Sequence, residues 1–237
     1  MSISHHPSAG MLTAYAAGTL GEGPSLLIAA HLTLCPECRA AVQEAERVGG
    51  GLLDSLPTEQ TPITVPDSLL ASLDSLPLDG PETDRADRSV IAEDLSALPP
   101  VARRFPKPLR DRMSYGAELP WRMLGPGVRQ IDLGSTMPHN RVGHRSENGA
   151  VRLFHLQPGT PMPQHDHGGS ELTLVLEGGF SDQAGHYVRG DVAEAEPGIV
   201  HAPVVDTDGP CICLIATEGR LRYTGLVGRV MQRFTGI

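Results

Sequence analysis

One histidine and two cysteines stand within eight residues of one another near the N-terminus, and they restrict the fold of this region most strongly. His31 precedes Cys35 by four residues, so on a helix both side chains project from one face. Pro36 suits the first position of a new helix, which would bring Cys38 towards the same point. Two thiolates and one imidazole are a common donor set for tetrahedral zinc. The sequence therefore predicts small helices joined by one zinc ion.

A closed zinc site needs a fourth ligand, and two neighbouring histidines, His5 and His6, can supply it. The Cys35–Cys38 spacing alone is also found in redox pairs and by chance. The histidine four residues ahead, in a segment without further cysteines, favours zinc.

Aliphatic helices are expected around this cluster, because Tyr15 and Phe105 are the sole aromatic residues before Met113. Apolar positions at helical spacing predict two helices near residues 12–20 and 26–34, a third from Pro36 through Glu46, and a short fourth helix over 67–76. So small a unit cannot bury all of its leucines, and the surplus indicates an interaction surface. These leucines are Leu12, Leu20, Leu26, Leu27, Leu34, Leu52, Leu53 and Leu56.

Three segments follow from composition. Residues 1–80 form the helical domain, residues 81–112 a flexible linker rich in proline and charge, and residues 113–237 a β-domain. In the last segment, short β-type runs are separated by Gly, Pro and Asp, which predicts an all-β barrel or sandwich. The clearest runs are 151–156, 171–176, 200–205 and 211–216.

A second cluster of metal-binding residue types lies in the β-domain. His165 and His167 alternate by two along a strand and would face one interior. Glu171 begins the next strand, and His201 follows a later turn. The spacing from Gly159 through Glu171 resembles the first cupin motif, and the residues before His201 resemble the second. Three imidazoles and one carboxylate suit several divalent transition metals, with zinc as the expected ion.

Two further cysteines, Cys211 and Cys213, are spaced by two and would face the same way on a strand. They are either small apolar residues of a β-core or redox thiols near the barrel metal. Both interpretations stay open.

The formal net charge of −9 argues against direct binding to nucleic acid or anionic lipid. The N-terminus lacks the pattern of a signal peptide, and the longest apolar run, residues 26–34, is too short to span a bilayer. A cytoplasmic protein is expected, in which four cysteines are metal ligands or thiols rather than disulfides.

The chain resembles the ChrR-type anti-sigma factors along nearly its whole length. The His-x3-Cys-x2-Cys pattern has a histidine 25 residues before its first member, and this spacing falls on His6 rather than His5. The stretch from His5 through Leu20 and the run Cys211–Ile–Cys213 are also similar to that family.

This resemblance implies a helical zinc module that holds an extracytoplasmic-function sigma factor, followed by a cupin barrel. It further implies release of the sigma factor under singlet-oxygen or related oxidative stress, with the barrel as the sensor and no catalytic residues. The alternative is a metal-dependent cupin enzyme, similar to a dioxygenase, with the zinc module as a regulatory appendage.

Overall fold

A computed structural model describes residues 3–57, 65–74, 95–113, 119–134, 150–218 and 221–223. Its N-terminal part is helical, and the predicted division into helices followed by a β-barrel is confirmed. The α-helices are α1 (Ala9–Ala16), α2 (Glu22–Leu34), α3 (Pro36–Asp54), α4 (Asp67–Asp74) and α5 (Lys107–Arg112).

Local signals fix where α1 and α3 begin. The Ser8 hydroxyl accepts a hydrogen bond from the Met11 backbone N–H at 3.3 Å and so caps α1. Cys35 caps α3 with its sulfur, which accepts from the Cys38 N–H at 3.4 Å, and Pro36 takes the first helical position. Helix α3 continues past the predicted end at Glu46 to Asp54.

The β-domain consists of antiparallel strands in three sheets. The large sheet has the order β1-β2-β3-β10-β5-β8, the second β7-β6-β9, and the third pairs β11 with β4. The strands are β1 (Arg122–Gly125), β2 (Val128–Asp132), β3 (Ala150–Leu156), β4 (His165–His167), β5 (Glu171–Glu177), β6 (Gly179–Ser181), β7 (His186–Val188), β8 (Val192–Ala195), β9 (Val204–Val205), β10 (Cys211–Thr217) and β11 (Leu221–Tyr223).

Three of the four predicted runs form long strands, β3, β5 and β10. The run predicted over 200–205 is only partly a strand. His201 forms an isolated bridge to His165, and regular pairing begins at Val204. Pro203 lies between them and has no N–H to donate to a ladder, which accounts for the interruption.

Two neighbouring strands of the large sheet, β5 and β10, are buried on both faces. Along β10, Cys211 and Cys213 belong to one buried cluster, whereas Ile212 and Leu214 belong to another. The first cluster, with Phe154, Val175 and Val205, lies on the inner face of the barrel. The second lies on the outer face of the sheet, where the helices pack.

Helix α2 covers this outer face, so the helical segment and the barrel share one hydrophobic core. Leu27 and Ile28 are fully buried in the cluster that contains Leu172, Leu174 and Leu214 of the sheet. At the start of α2 the approach is so close that a Cβ on Gly23 would lie 2.6 Å from a Val151 methyl carbon.

Part of the predicted linker is packed against this core. Residues 75–94 lie outside the described residues, but residues 95–112 contain two 3-10 helices (Leu95–Ala97 and Ala102–Arg104) and α5. Phe105 and Leu109 are buried, and Arg112 forms a 2.7 Å ion pair with Glu22 of α2. The expectation of a solvated connection is wrong for residues 95–112, because these short helices pack an apolar face against the shared core and pair an arginine with α2.

In the described part of the chain, no single helix is long and apolar enough to cross a membrane; α2 and α3 pass that test only as a pair, bent by 120°.

The shared core predicts unequal effects for two leucines of the helical segment. Leu27→Ala should lower the free energy of unfolding of the full chain by about 2–5 kcal/mol, because it leaves a cavity between α2 and the sheet. Leu53→Ala, at a position 69% exposed, should change it by less than about 0.5 kcal/mol. Urea denaturation of both variants tests this, and equal effects would contradict the packing described.

Candidate metal centres

The four donor residues of the helical segment converge on one point. Ligand atoms of His6, His31, Cys35 and Cys38 all lie within 4.8 Å of one another. His6 Nδ1 is 3.4 Å from Cys35 Sγ and 3.3 Å from Cys38 Sγ. His5 turns away from this cluster, with its Nδ1 3.3 Å from an Asp191 carboxylate oxygen. The structure thus brings His6, and not His5, to the cysteines.

Three elements hold these side chains in place. His6 lies in the segment before α1, His31 in the last turn of α2, and the two cysteines at the start of α3. The sharp bend between α2 and α3 lets the end of one helix face the beginning of the next.

The chemistry of the cluster fits a cation. His31 is fully buried, and its Nε2 has no hydrogen-bond partner among the described residues, which leaves a lone pair directed at the cluster. Burial also lowers the pKa of His31, so the imidazole is neutral and able to bind metal. Burial, reinforced by the adjacent Cys35 thiol, raises the pKa of Cys38 to about 12. A zinc ion would supply the charge that lets both thiols ionise.

A second donor cluster lies inside the barrel, where His165, Glu171 and His201 offer ligand atoms within 4.8 Å of one another. The Nε2 atoms of His165 and His201 are 3.1 Å apart, and His201 Nε2 is 3.8 Å from Glu171 Oε1. His167 is on β4, two residues from His165, but its side chain lies outside the described part of the structure. Its role as a fourth ligand stays a prediction.

Partners behind these ligands orient them. His165 Nδ1 lies 2.7 Å from the Pro163 carbonyl oxygen; because a carbonyl only accepts, Nδ1 carries the proton and Nε2 can present its lone pair to a metal. His201 Nδ1 lies 3.6 Å from an Asp182 carboxylate oxygen. Burial lowers the pKa of His201, although Asp182 opposes that shift. Sequence analysis missed Asp182 and Pro163, because neither belongs to a ligand motif.

Glu171 is buried at the barrel cluster, with 5% of its surface exposed. Burial raises the pKa of its carboxyl to about 8, despite a 3.5 Å hydrogen bond from Thr173. A bound divalent cation would reverse this preference and hold the carboxylate ionised.

A cavity of about 370 Å³ opens onto the barrel cluster, and its walls are mainly apolar. Phe154, Met162, Phe180 and Tyr187 contribute to the walls, with His165 and His201 among the polar groups. The metal would therefore face a space large enough for a small molecule.

Cys211 and Cys213 are both buried, and Cys213 lines the same cavity. The Cys211 thiol and burial together raise the pKa of Cys213 well above its ordinary value. A protonated, buried thiol is a poor nucleophile, so this environment favours a packing role over a reactive one.

Comparison with known proteins agrees with this architecture. Residues 9–39 match the family described as a putative zinc-finger, and residues 111–219 match the ChrR cupin-like domain. The chain is 36% identical to the anti-sigma-E factor ChrR of Cereibacter sphaeroides over 239 residues, covering 99% of both proteins. The chain belongs to the ChrR family of anti-sigma factors.

A solved structure supports the same assignment. The crystal structure of Rhodobacter sphaeroides SigE in complex with the anti-sigma ChrR matches with a TM-score of 0.65 and 34% identity. The match covers 91% of this chain and 99% of the other. Together with the His/Cys cluster, the zinc-finger match supports a zinc site near the N-terminus of this ChrR-family protein.

The helical cluster predicts a specific zinc loss. Cys38→Ser should lower the zinc content by about one ion per chain, since it removes one of four ligands from a single site. Cys213→Ser is a matched control, because Cys213 is equally buried but lies outside both donor clusters. Metal analysis of the purified variants measures the difference, and an unchanged zinc content in Cys38→Ser would contradict the assignment.

The raised pKa of Glu171 predicts a pH dependence of the metal-free protein. Between the ordinary value of 4.5 and the folded value of about 8, unfolding releases a proton, so stability should fall as pH rises. One proton gives a slope of up to about 1.4 kcal/mol per pH unit. Glu171→Gln should lack this component in denaturation curves measured after chelation, and identical slopes in both proteins would contradict the shift.

Proposed function

We propose that this chain sequesters an extracytoplasmic-function sigma factor of group IV and releases it under oxidative stress of the singlet-oxygen type. Membership of the ChrR family and the match to the complex of SigE with ChrR support the partner class. The protein would act in the cytoplasm as a repressor of transcription, without contacting nucleic acid itself. The negative net charge is consistent with that mode of action.

An exposed apolar surface is the observation that carries the proposal. Two helices leave large side chains in solvent although the rest of the helical segment is well packed. We call the α3 group the apolar helix surface; it comprises Val48, Leu52 and Leu53 in the C-terminal part of α3 and Leu56 just beyond it, while Leu69 and Leu70 of α4 are exposed as well. These side chains are 47–69% exposed. Leucines grouped in this way are typical of a protein-binding surface.

The zinc module would give that surface a fixed shape. Its proposed ligands are His6, His31, Cys35 and Cys38, and the metal fixes the bend between α2 and α3. Because α3 extends from this bend to the exposed leucines, loss of zinc would disorganise the binding surface.

The barrel would act as the sensor, with a divalent metal on His165, His167, Glu171 and His201. We propose zinc, because a closed set of imidazoles and one carboxylate suits it. A sensor needs a difference in free energy between holding and releasing states, and ligation of a buried carboxylate supplies one. Cys211 and Cys213 are the candidate redox thiols of such a sensor.

The cavity beside this cluster favours one alternative, a metal-dependent cupin enzyme related in chemistry to dioxygenases. Such an enzyme would turn over a small apolar substrate in that space, whereas a regulator needs no turnover. Sigma-factor release that requires the barrel ligands but consumes no substrate would distinguish the regulator from the enzyme.

Charged residues on the apolar helix surface should abolish partner binding. Leu52→Asp combined with Leu53→Asp should weaken sigma-factor binding at least 100-fold, because each buried charge would lack a partner. The fold should persist, since both positions are exposed in the free protein. Co-purification with a co-expressed extracytoplasmic-function sigma factor of the same organism measures the effect. Arg47→Ala, a charged and exposed neighbour, is the control and should bind normally.

A barrel-ligand variant should separate holding from sensing. His165→Ala should repress a sigma-dependent reporter nearly as well as wild type while losing most of the response to singlet oxygen. His186→Ala is the matched control, because this barrel histidine pairs with Asp206 at 2.8 Å and lies outside both donor clusters. A full oxidant response in His165→Ala would refute the sensor role.

A further inference from the structure

The turn that joins β7 to β8 of the barrel reaches across to the helical zinc cluster. We propose that this turn, residues 189–191, positions both histidine ligands of the helical zinc site, so that zinc affinity depends on the docking of the helices on the barrel. The inference rests on the zinc site proposed above and adds to it a regulatory contact between the two halves of the chain.

The first contact is direct. His31 Nδ1 lies 2.9 Å from the backbone carbonyl oxygen of Gly190, and the bond is buried. A carbonyl only accepts, so Nδ1 must carry the proton and Nε2 must present its lone pair to the cluster. The barrel thereby selects the tautomer of His31 that binds metal and fixes the plane of its ring.

The second contact acts on His6 through its neighbour. One Asp191 carboxylate oxygen accepts from the backbone N–H groups of Ser4 at 2.8 Å and His5 at 3.1 Å. The Val192 N–H donates in return to the His5 carbonyl oxygen at 3.0 Å. The backbone just before His6 is therefore bound to the barrel on both its donor and its acceptor side.

Asp191 is well suited to hold this segment. Its side chain is fully buried, and its second carboxylate oxygen accepts from the Val188 N–H at 3.0 Å within the turn itself. The carboxylate thus fixes the turn and the N-terminal segment at once. The approach is close, since a Cβ on Gly190 would lie 2.8 Å from an Ile3 side-chain carbon.

The cysteines, in contrast, are held within the helical segment. Cys35 ends α2 and caps α3, and Cys38 lies in the first turn of α3. If the helices separated from the barrel, both thiols would stay in place, but both imidazoles would lose the barrel contacts that orient them. The barrel therefore controls one half of the donor set.

Strand β7, which leads into this turn, borders the cavity at the barrel metal cluster. Tyr187 lines the cavity, and its ring centroid is 4.5 Å from that of His5. If the cavity wall rearranges, the contact between Tyr187 and His5 would transmit the movement to the segment that carries His6.

Asp191→Asn tests the proposal in the full-length protein. An amide has one acceptor oxygen, so the variant cannot accept hydrogen bonds from both the N-terminal segment and the Val188 N–H. Titration with Co²⁺, followed by the thiolate-to-cobalt charge-transfer absorption, reports only the site that contains the cysteines. We expect affinity to fall about 10- to 100-fold, the usual effect of losing a partner behind a metal ligand. Faster hydrogen exchange at the amides of residues 4–6 should accompany the loss.

Gly23→Leu supplies a second variant in case Asp191→Asn fails to fold. It wedges α2 away from β3 at a point about 12 Å along the helix from His31, and it should weaken Co²⁺ binding in the same direction. Asp206→Asn and Gly50→Leu are the controls. The first alters a barrel carboxylate that pairs with His186 instead of with the turn or the N-terminal segment, and the second adds the same side chain where no atom lies within 4 Å.

The outcomes separate the two proposals. Weaker binding in Asp191→Asn and Gly23→Leu, with both controls unchanged, supports the positioning role. Wild-type Co²⁺ affinity in both interface variants overturns it while leaving the zinc site intact. A wild-type protein without any thiolate-to-cobalt absorption would overturn the zinc site and this inference together.

Discussion

The packing of α2 on the outer face of the large sheet is the interaction on which the rest of the structure depends. Leu27 and Ile28 enter a cluster with Leu172 and Leu214, and these sheet residues would otherwise face water. Burying such side chains contributes roughly 1.5–3 kcal/mol each. Because His31 lies in the last turn of α2, the same contact places one zinc ligand against the barrel. The helical module and the barrel are therefore one cooperative unit rather than two bodies on a tether.

Much of the fold, and the residue types of both metal centres, could be predicted from the sequence. Helix positions, the Pro36 start of α3 and the strand patterns follow from local signals, which act over a few residues. The two donor clusters were also predictable, because four-residue helical spacing and two-residue strand spacing place ligands on one face. The run from Cys211 to Ala216 also indicates that other elements pack on both sides of the sheet, although the sequence predictions did not include such packing. A strand with apolar residues on both faces must be covered on both.

Contacts between distant parts of the chain could not be predicted in this way. The carbonyl of Gly190 bears no side-chain signature, and Asp191 resembles any turn carboxylate until Ser4 is placed beside it. The packing of residues 95–112 was not predicted from the sequence for a related reason. Proline and charge indicated a solvated linker, but Arg112 finds its partners in Glu22 and the Leu133 carbonyl oxygen, far away in sequence.

Denaturation followed by two probes tests the central claim most directly. Trp121 is the single tryptophan, and it packs beside His155 on the outer face of the large sheet, so its fluorescence reports that face. Release of zinc to a chromophoric chelator reports the helical module. A shared core predicts coincident transitions in urea for the full chain. Zinc release at clearly lower denaturant, while Trp121 keeps its native signal, would show that the module unfolds independently and would contradict the account.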